Sequence, residues 1–172
     1  MGVDEGVHLK TDEALDSFAI ANALAEEIKT LGCELIFMGK QSVDYDSGIV
    51  GQLTAELLGY NSISVCVTFQ LEGTTITAQR EIEGGKEIVE TSLPCIITAQ
   101  KGLNEPRYAS LKGIMAAKKK VIHEKPVPSV PALVENLQLK MPTPKNPGRI
   151  LGTDSSAVPE LVKLLHEEAK VI

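Results

Sequence analysis

The fold is decided by residues 34–59, which read ELIFMGKQSVDYDSGIVGQLTAELLG. The apolar run from Leu35 to Met38 is short and typical of a buried strand. A helical pattern over residues 48–58 ends at Gly59, the residue type that most often follows a helix. Ser47 is placed to cap that helix. The stretch therefore predicts a strand, a polar loop and a helix, with the loop at the carboxyl end of the strand.

The position of this loop favours nucleotide binding. In open α/β sheets, phosphates and nucleotides bind at the carboxyl ends of strands, next to the free N–H groups of a helix amino terminus. The loop has neither of the two glycine spacings with a known phosphate geometry. An ordinary connection without a ligand is therefore the alternative interpretation.

Composition indicates a globular protein without nucleic-acid or membrane binding. The 172 residues are 43% hydrophobic and include no Trp, so we expect a core of Ile, Leu, Val and Ala. The net charge of −6 argues against nucleic acid, which requires a basic surface. No apolar run approaches the roughly 20 residues of a membrane helix. We therefore expect a soluble acidic protein.

The metal-ligating residue types are scattered. The three cysteines, Cys33, Cys66 and Cys95, lack C-x-x-C spacing, and the three histidines are far apart. Neither a zinc site nor a disulfide framework is indicated by this spacing. We expect no metal site and three buried thiols.

The flanking segments predict an α/β fold with an inserted hairpin. A strand at Val7–Leu9 and a helix opening at Thr11 and Asp12 precede strand 34–38, which is the βαβ order of a parallel sheet. Residues 61–92 alternate with a period of two and predict three meandering strands, with turns at 72–73 and 83–85. Residues 95–99 predict a return to a central strand. The expected sheet is mostly parallel.

The carboxyl-terminal part is predicted to be an extended arm followed by a helix. Six prolines lie between residues 121 and 147, so regular structure is disfavoured there. Leu137, Leu139 and Met141 alternate as a strand would. A helix follows Asp154, with Pro159 in its first turn. We therefore divide the chain into an α/β domain, residues 1–125, and an arm with a helix, residues 126–172.

Three segments resemble the electron-transfer flavoprotein beta subunit. They are the loop 39–46 with Gly51-Gln52-Leu53 after it, the segment 80–85, and the segment 104–108 with Leu111 beyond it. The resemblance runs almost from end to end and implies a Rossmann-like adenine-nucleotide-binding fold. It implies an electron-carrier subunit without catalytic residues, located in the bacterial cytoplasm or the mitochondrial matrix. It also matches Met1 to an internal methionine, which predicts a truncated start.

The resemblance implies two cofactors. AMP would be structural in this subunit, and the redox FAD would lie mainly on the alpha subunit. Tyr45 and Gln52 favour AMP over the second FAD of electron-bifurcating members, whereas Val50 is more typical of those members. The implied nucleotide-binding residues are Gly39, Lys40, Gln41, Ser42, Val43, Asp44, Tyr45, Asp46, Ser47, Gly48, Ile49 and Val50.

The resemblance also implies two protein partners. Arg80 and Glu81 would contact the alpha subunit, where Glu81 would pair with an arginine, although composition alone describes this segment as a solvated turn. Acyl-CoA and related dehydrogenases would dock on a recognition loop with Leu111 as its anchor. Periodicity alone would bury Leu111 in the core of the chain. The implied docking residues are Asn104, Glu105, Pro106, Arg107, Tyr108, Leu111, Ile114 and Met115.

Two other functional classes stay open. The first is an adenine-nucleotide hydrolase or stress-type α/β protein, which would need a glycine-rich phosphate loop and an acidic residue for magnesium. The second is an interaction module without a nucleotide, which follows if a truncated sheet cannot hold a ligand. Hydrolysis of ATP by the purified chain would favour the first class.

Overall fold

The computed structural model describes residues 2–145 and 147–172, so the expectation about Met1 lies outside the described residues. The chain divides into two compact units, Met1–Glu135 and Asn136–Ile172. The first unit contains, in chain order, β1 (Gly6–Lys10), α1 (Ser17–Leu31), β2 (Leu35–Gly39), α2 (Val50–Leu58), β3 (Asn61–Glu72), β4 (Thr75–Ile82), β5 (Gly85–Ser92), β6 (Cys95–Ala99), α3 (Leu111–Ala117) and β7 (Ile122–Pro126).

Five strands form a mixed sheet in the order β2-β6-β3-β4-β5. Strand β6 pairs in parallel with β2 and with β3, whereas β3, β4 and β5 form an antiparallel meander. The tight turns at Gly73 and Gly84 require left-handed backbone, with φ of 61° and 81°, which glycine adopts without strain. The predicted α/β class, the inserted antiparallel strands and the central position of β6 are confirmed.

The core is built from small aliphatic side chains and buried thiols. One cluster lies on the sheet and consists of Ile63, Cys66, Ile76, Ala78, Cys95 and Ile97. Helix α1 packs against α2 and buries four alanines, Ala19, Ala21, Ala23 and Ala25. Alanine at these positions lets helices approach closely without cavities. Cys33 is exposed, so the expectation of three buried thiols was wrong, because this residue lies just beyond the end of α1 at Gly32.

Strand β1 does not join the main sheet. It pairs in parallel with β7 as a separate two-stranded sheet, with Gly6 opposite Ile122. The predicted βαβ unit was therefore wrong, because β1 pairs with β7 while β2 pairs with β6 in the other sheet. The expectation that residues 121–147 lack regular structure was also wrong at β7. This strand forms because its first four residues, 122–125, precede the prolines and keep their N–H donors.

The predicted starts of helices α1 and α2 are displaced. Helix α1 begins at Ser17 because the Asp16 carboxylate accepts the Ala19 amide at 2.8 Å. Thr11, the expected start, instead accepts the Glu13 amide in a local turn at 3.0 Å. Helix α2 begins at Val50, two residues later than expected.

The second unit consists of an extended segment followed by a short helix. A 3-10 turn (Ser155–Ala157) leads into α4 (Val158–Glu167). Asp154 accepts the Ser156 amide at 2.8 Å, as expected of a cap, and Arg149 pairs with Glu168 at 2.7 Å. Every residue of α4 is at least partly exposed. The extended residues Leu137, Leu139 and Met141 are also exposed.

No helix within the described ranges is long and apolar enough to cross a bilayer.

Candidate functional site

The candidate nucleotide loop, residues 40–49, starts at the carboxyl end of the parallel strands. The Lys40 amide donates to the Ala99 carbonyl at 3.2 Å, which joins the first loop residue to the end of β6. The loop therefore leaves the sheet beside the central strand and leads directly into α2. This is the edge of a parallel sheet where ligands bind in open α/β folds.

The loop is closed by hydrogen bonds between its two ends. The Ser42 amide donates to the Ser47 carbonyl at 3.0 Å, and the Ser47 amide donates to the Ser42 hydroxyl at 3.1 Å. The Gln41 side-chain amide donates to the Asp46 carbonyl at 3.2 Å and to the Asp46 carboxylate. Asp46 takes a left-handed backbone with φ of 59°, which aspartate tolerates better than most residues. These bonds give the exposed loop a defined shape.

Asp44 stabilises the middle of the loop. Its carboxylate accepts the Tyr45 amide at 2.8 Å. Hydrogen bonds from the Tyr45 amide and then from the Ser42 hydroxyl hold the pKa of Asp44 below its usual value. The side chain is thus a carboxylate at neutral pH. Because it is fully exposed, it orders the loop without acting as a buried charge.

Helix α2 begins without a side-chain cap in the part of the chain that the structure describes. Ser47 was predicted to cap it, but the actual cap residue is Ile49, and both backbone groups of Ser47 are engaged by Ser42. The first-turn N–H groups of a helix have no partner within the helix. The start of α2 therefore keeps the hydrogen-bond donors and the positive dipole end that favour an anion.

Helix α2 lies very close to strand β6 at its first turn. A Cβ atom placed on Gly51 would lie 2.4 Å from the Cγ2 atom of Thr98, so only glycine fits there. By contrast, a Cβ atom on Gly48 would meet its nearest neighbour, the Lys40 carbonyl oxygen, at an ordinary 3.6 Å. The buried Gln52 Oε1 atom finds no hydrogen-bond partner among the described residues. An unpartnered buried acceptor beside an uncapped helix start is unusual in a native structure.

The other predicted nucleotide residues lie on the loop surface. Val43, Tyr45 and Ile49 are exposed, with Val43 fully accessible. Lys40 supplies the positive side chain of the loop. The predicted set, residues 39–50, runs from the last residue of β2 to the first residue of α2.

The predicted docking segment is also exposed. Ser110 caps α3 by accepting the Gly113 amide at 3.1 Å, and residues 104–108 lead into this cap. Leu111 is 83% exposed, so it does not belong to the core of this unit. Met115 and Ile114 are 59% and 37% exposed on the same short helix. Helix α3 starts at Leu111 itself.

Arg80 and Glu81 are held within the chain at the end of β4. Arg80 pairs with Glu87 at 2.8 Å and donates to the Ser64 carbonyl at 3.2 Å and the Ser64 hydroxyl at 2.8 Å. Glu81 accepts the Gln100 side-chain amide at 2.9 Å. The sequence interpretation missed these three partners. Glu87 could have been found by counting across the predicted turn at 83–85, which places it opposite Arg80.

Two clefts of the described chain lie away from the nucleotide loop. One is lined by residues of the second unit from Arg149 to Leu161, and the other lies between α1 and the β1–β7 sheet around Lys125. In the second cleft, Lys125 pairs with Glu27 at 2.8 Å. The candidate loop is a surface feature, since residues 41–46 are exposed. Among the residues that the structure describes, no three His, Cys, Asp or Glu residues cluster as metal ligands would.

The fold and the loop define an α/β protein that presents an ordered βα loop and an uncapped helix at the end of its central strand. The family model of the electron transfer flavoprotein domain matches residues 1–130. The electron transfer flavoprotein subunit beta of Bacillus subtilis is 37% identical, and the alignment covers 100% of this chain and 71% of that protein. The subunit beta of Bradyrhizobium diazoefficiens is 38% identical, and the alignment covers 100% of this chain and 69% of that protein. The mitochondrial subunit beta of Arabidopsis thaliana is 34% identical, with 100% and 69% covered.

The chain belongs to the electron transfer flavoprotein family and within it to the beta subunits. The resemblance stated from the sequence is confirmed. Relatives occur in bacteria, and the subunit beta of Arabidopsis thaliana is a mitochondrial protein.

Proposed function

We propose that this chain is the beta subunit of a heterodimeric electron transfer flavoprotein and holds a structural AMP in the loop 39–50. It supports an alpha subunit that carries the redox FAD and offers a docking loop to acyl-CoA and related dehydrogenases. The chain performs no chemistry of its own. The observation that carries the proposal is the closed loop and uncapped α2 in a chain of this family.

The residues of the loop fit the phosphate of an adenine nucleotide. The Val50, Gly51 and Gln52 amides at the start of α2 have no acceptor within the helix, and Lys40 adds a positive charge to the loop. Glycine at 48 and 51 lets the backbone come close to a ligand and to β6. The unpartnered Gln52 Oε1 atom offers an acceptor to a ligand hydroxyl or amine. Asp44 and Asp46 maintain the loop, which leaves the helix amides to bind the anion.

AMP is preferred over a second FAD in this loop. Tyr45 and Gln52 carry this preference, although Val50 is more typical of the FAD-binding members of the family. The nucleotide has a structural role in this proposal, since it ties β2, the loop and α2 together. In this heterodimer, residues 1–125 would be a Rossmann-like domain and residues 126–172 would pack on the alpha subunit.

The alpha subunit would cover two surfaces of the chain. Exposed apolar side chains at Leu137, Leu139 and Met141 alternate along the extended segment and are available to pack on a partner. Glu81 would pair with an arginine of the alpha subunit, and the Gln100 amide would orient its carboxylate for that pairing. FAD, when bound by the alpha subunit, supplies the electron-carrying chemistry.

Dehydrogenases would dock on residues 104–115. Leu111 is 83% exposed at the start of α3, where one apolar side chain can enter a pocket of a partner. Met115 widens the same apolar surface. Neighbouring Lys118, Lys119 and Lys120 give the end of this helix a positive charge, which favours acidic partners through faster association. The complex would act in the bacterial cytoplasm or the mitochondrial matrix.

The decisive experiment identifies the nucleotides of the complex. The chain is co-expressed with its alpha subunit, and the purified complex is denatured and analysed by liquid chromatography. We expect one FAD and one AMP per heterodimer. Two FAD molecules would contradict the AMP assignment, and a stable complex without any nucleotide except one FAD would contradict binding by the loop.

A further inference from the structure

Thr98 is a buried polar residue of the central strand that neither the nucleotide loop nor the docking loop includes. It is 1% exposed and lies one residue before the end of β6. We propose that Thr98 is a positioning residue whose two branches hold different functional segments: its hydroxyl holds a bulge in β3, and its methyl holds the first turn of α2. The inference rests on the proposed function, because the first turn of α2 forms part of the nucleotide site.

The hydroxyl branch accepts a hydrogen bond from a strained backbone segment. The Val65 amide donates to Thr98 Oγ1 at 3.1 Å. Val65 has a φ of 56°, a left-handed conformation that is unfavourable for a β-branched residue. The pairing register of β3 with β6 shifts between Ile63 and Cys66, so Val65 lies within a bulge. Such a conformation persists only where the surroundings impose it.

The bulge in turn positions Arg80. The residue before Val65, Ser64, accepts two hydrogen bonds from the Arg80 guanidinium, one at its carbonyl and one at its hydroxyl. Bulges re-aim the side chains of a strand, and they are common beside functional sites. Glu81 follows Arg80 and accepts the side-chain amide of Gln100. The backbone amide of Gln100 donates to the Cys66 carbonyl at 2.9 Å. The bulge therefore determines how the end of β4 is presented.

The methyl branch of Thr98 faces helix α2. Its Cγ2 atom occupies the space where a side chain of Gly51 would begin, 2.4 Å from the position of a Cβ atom. The first turn of α2 thus rests directly on this methyl group. If the methyl group were removed, a space would open beneath the helix start, and the amides proposed to bind phosphate would lose their support.

The two branches can be separated by two substitutions. Thr98→Val replaces the hydroxyl by a methyl of similar size and keeps the packing against Gly51. Thr98→Ser keeps the hydroxyl and removes the methyl. Thr68→Val is a control at an exposed strand threonine. Its Oγ1 also accepts a strand amide, from Gln79 at 3.2 Å, and it lies beyond the β3–β6 bulge, next to the register shift of β3 against β4.

Amide hydrogen exchange in the complex with the alpha subunit tests the proposal. In T98V we expect the Val65 amide to exchange about tenfold faster, the equivalent of one lost hydrogen bond, with no change at Leu53 in the first turn of α2. In T98S we expect the Leu53 amide to exchange faster and the Val65 amide to be unchanged. The bound adenine nucleotide should dissociate several-fold faster in T98S than in T98V. T68V should leave both amides and the nucleotide unchanged.

Equal effects of T98V and T98S at both amides would overturn the inference, since a simple core residue behaves in that way. No effect of either variant would overturn it as well. If the wild-type complex releases no adenine nucleotide, the proposed function fails, while the exchange at Val65 and Leu53 still decides the role of Thr98.

A second variant keeps the test decisive if T98V does not fold. Val65→Gly removes the strain that the hydrogen bond to the hydroxyl offsets, because glycine adopts a positive φ without strain. We therefore expect V65G/T98V to fold. If this double variant also fails to fold, the Val65 conformation is not what Thr98 supports, and the inference is overturned.

Discussion

Substitution of Gly51 by alanine tests the close approach of α2 to the sheet. Carbon atoms normally meet at about 3.5–4.0 Å, whereas a Cβ atom on Gly51 would lie 2.4 Å from Thr98 Cγ2. The overlap therefore exceeds 1 Å. Thr98 cannot rotate away freely, because its hydroxyl accepts the Val65 amide and the side chain is buried.

The expected cost is the difference between two opposing effects. Overpacking in a dense core costs about 1–3 kcal/mol, and the constraint on Thr98 favours the upper half of that range. Alanine gains up to about 1 kcal/mol over glycine within a helix, and less in the first turn. Overpacking is the larger effect, so G51A should be destabilised by about 1–2 kcal/mol. At about 2–4 °C per kcal/mol for a chain of this size, the Tm should fall by roughly 2–8 °C.

Thermal and urea unfolding of the chain in its complex, followed by circular dichroism, measure this change. Gly48→Ala is the matched control in the same segment, since its Cβ atom would meet ordinary contacts at 3.6 Å, and it should alter stability by less than about 0.5 kcal/mol. Adding T98S to G51A removes the clashing methyl and should restore most of the loss. Equal stabilities of G51A and G48A, or a double variant that is destabilised by the sum of the single effects, would refute the packing argument.

Three further predictions follow from exposure and hydrogen bonding. In the native protein, a thiol reagent at pH 8 should modify Cys33 alone, because the other two cysteines are buried. Burial raises the pKa of Cys66, and burial together with the nearby Cys66 raises the pKa of Cys95 to about 11. The C33S variant should lose all native reactivity. The pKa of Asp16 is held below 3.8 by hydrogen bonds from the Ala19 amide and from the amides of Leu133 and Val134. Its stabilising effect is therefore complete above that pH and lost as pH falls through the lowered value, so acid unfolding curves of D16N should be flatter below pH 4. Leu111→Ala should weaken dehydrogenase binding at least tenfold, measured by electron-transfer kinetics of the complex. Its free energy of unfolding should change by less than about 0.5 kcal/mol. An unchanged electron-transfer rate would contradict the anchor role.

The antiparallel part of the fold was predictable because its signals are local. Alternating side chains and glycine turns determine the β3–β4–β5 meander, and the turn at Gly84 determines the register that places Arg80 opposite Glu87. The strand–loop–helix order of residues 34–59 was predictable for the same reason. The position of the loop 40–49 after β2 and before α2 was predicted from the sequence, and its function remains a prediction.

The remaining features depend on contacts between distant residues. The pairing of β1 with β7 joins residues more than 100 positions apart, and the hydrophobic pattern of β1 does not specify which strand it pairs with. Thr11 and Asp16 are both good cap residues, and the choice between them follows from three-dimensional contacts: the second carboxylate oxygen of Asp16 accepts the Leu133 and Val134 amides at 2.7 and 2.9 Å. The bulge at Val65 likewise depends on Thr98, 33 positions away. Valine gives no local indication of a positive φ.

The candidate nucleotide site combines a rigid support with a weakly held loop. Four of the five residues of β6 are buried, and β6 pairs on both sides, so this strand exposes its amides only in large openings of the fold. The loop residues Gln41, Asp44 and Asp46 are exposed and are held by local hydrogen bonds, which open at much lower free energy. A ligand that binds the loop therefore orders the least stable part of the site without disturbing the strand beneath it. It follows that substitutions in the loop should alter nucleotide retention with little effect on global unfolding, whereas Thr98→Ser, which removes the methyl beneath α2, should alter both.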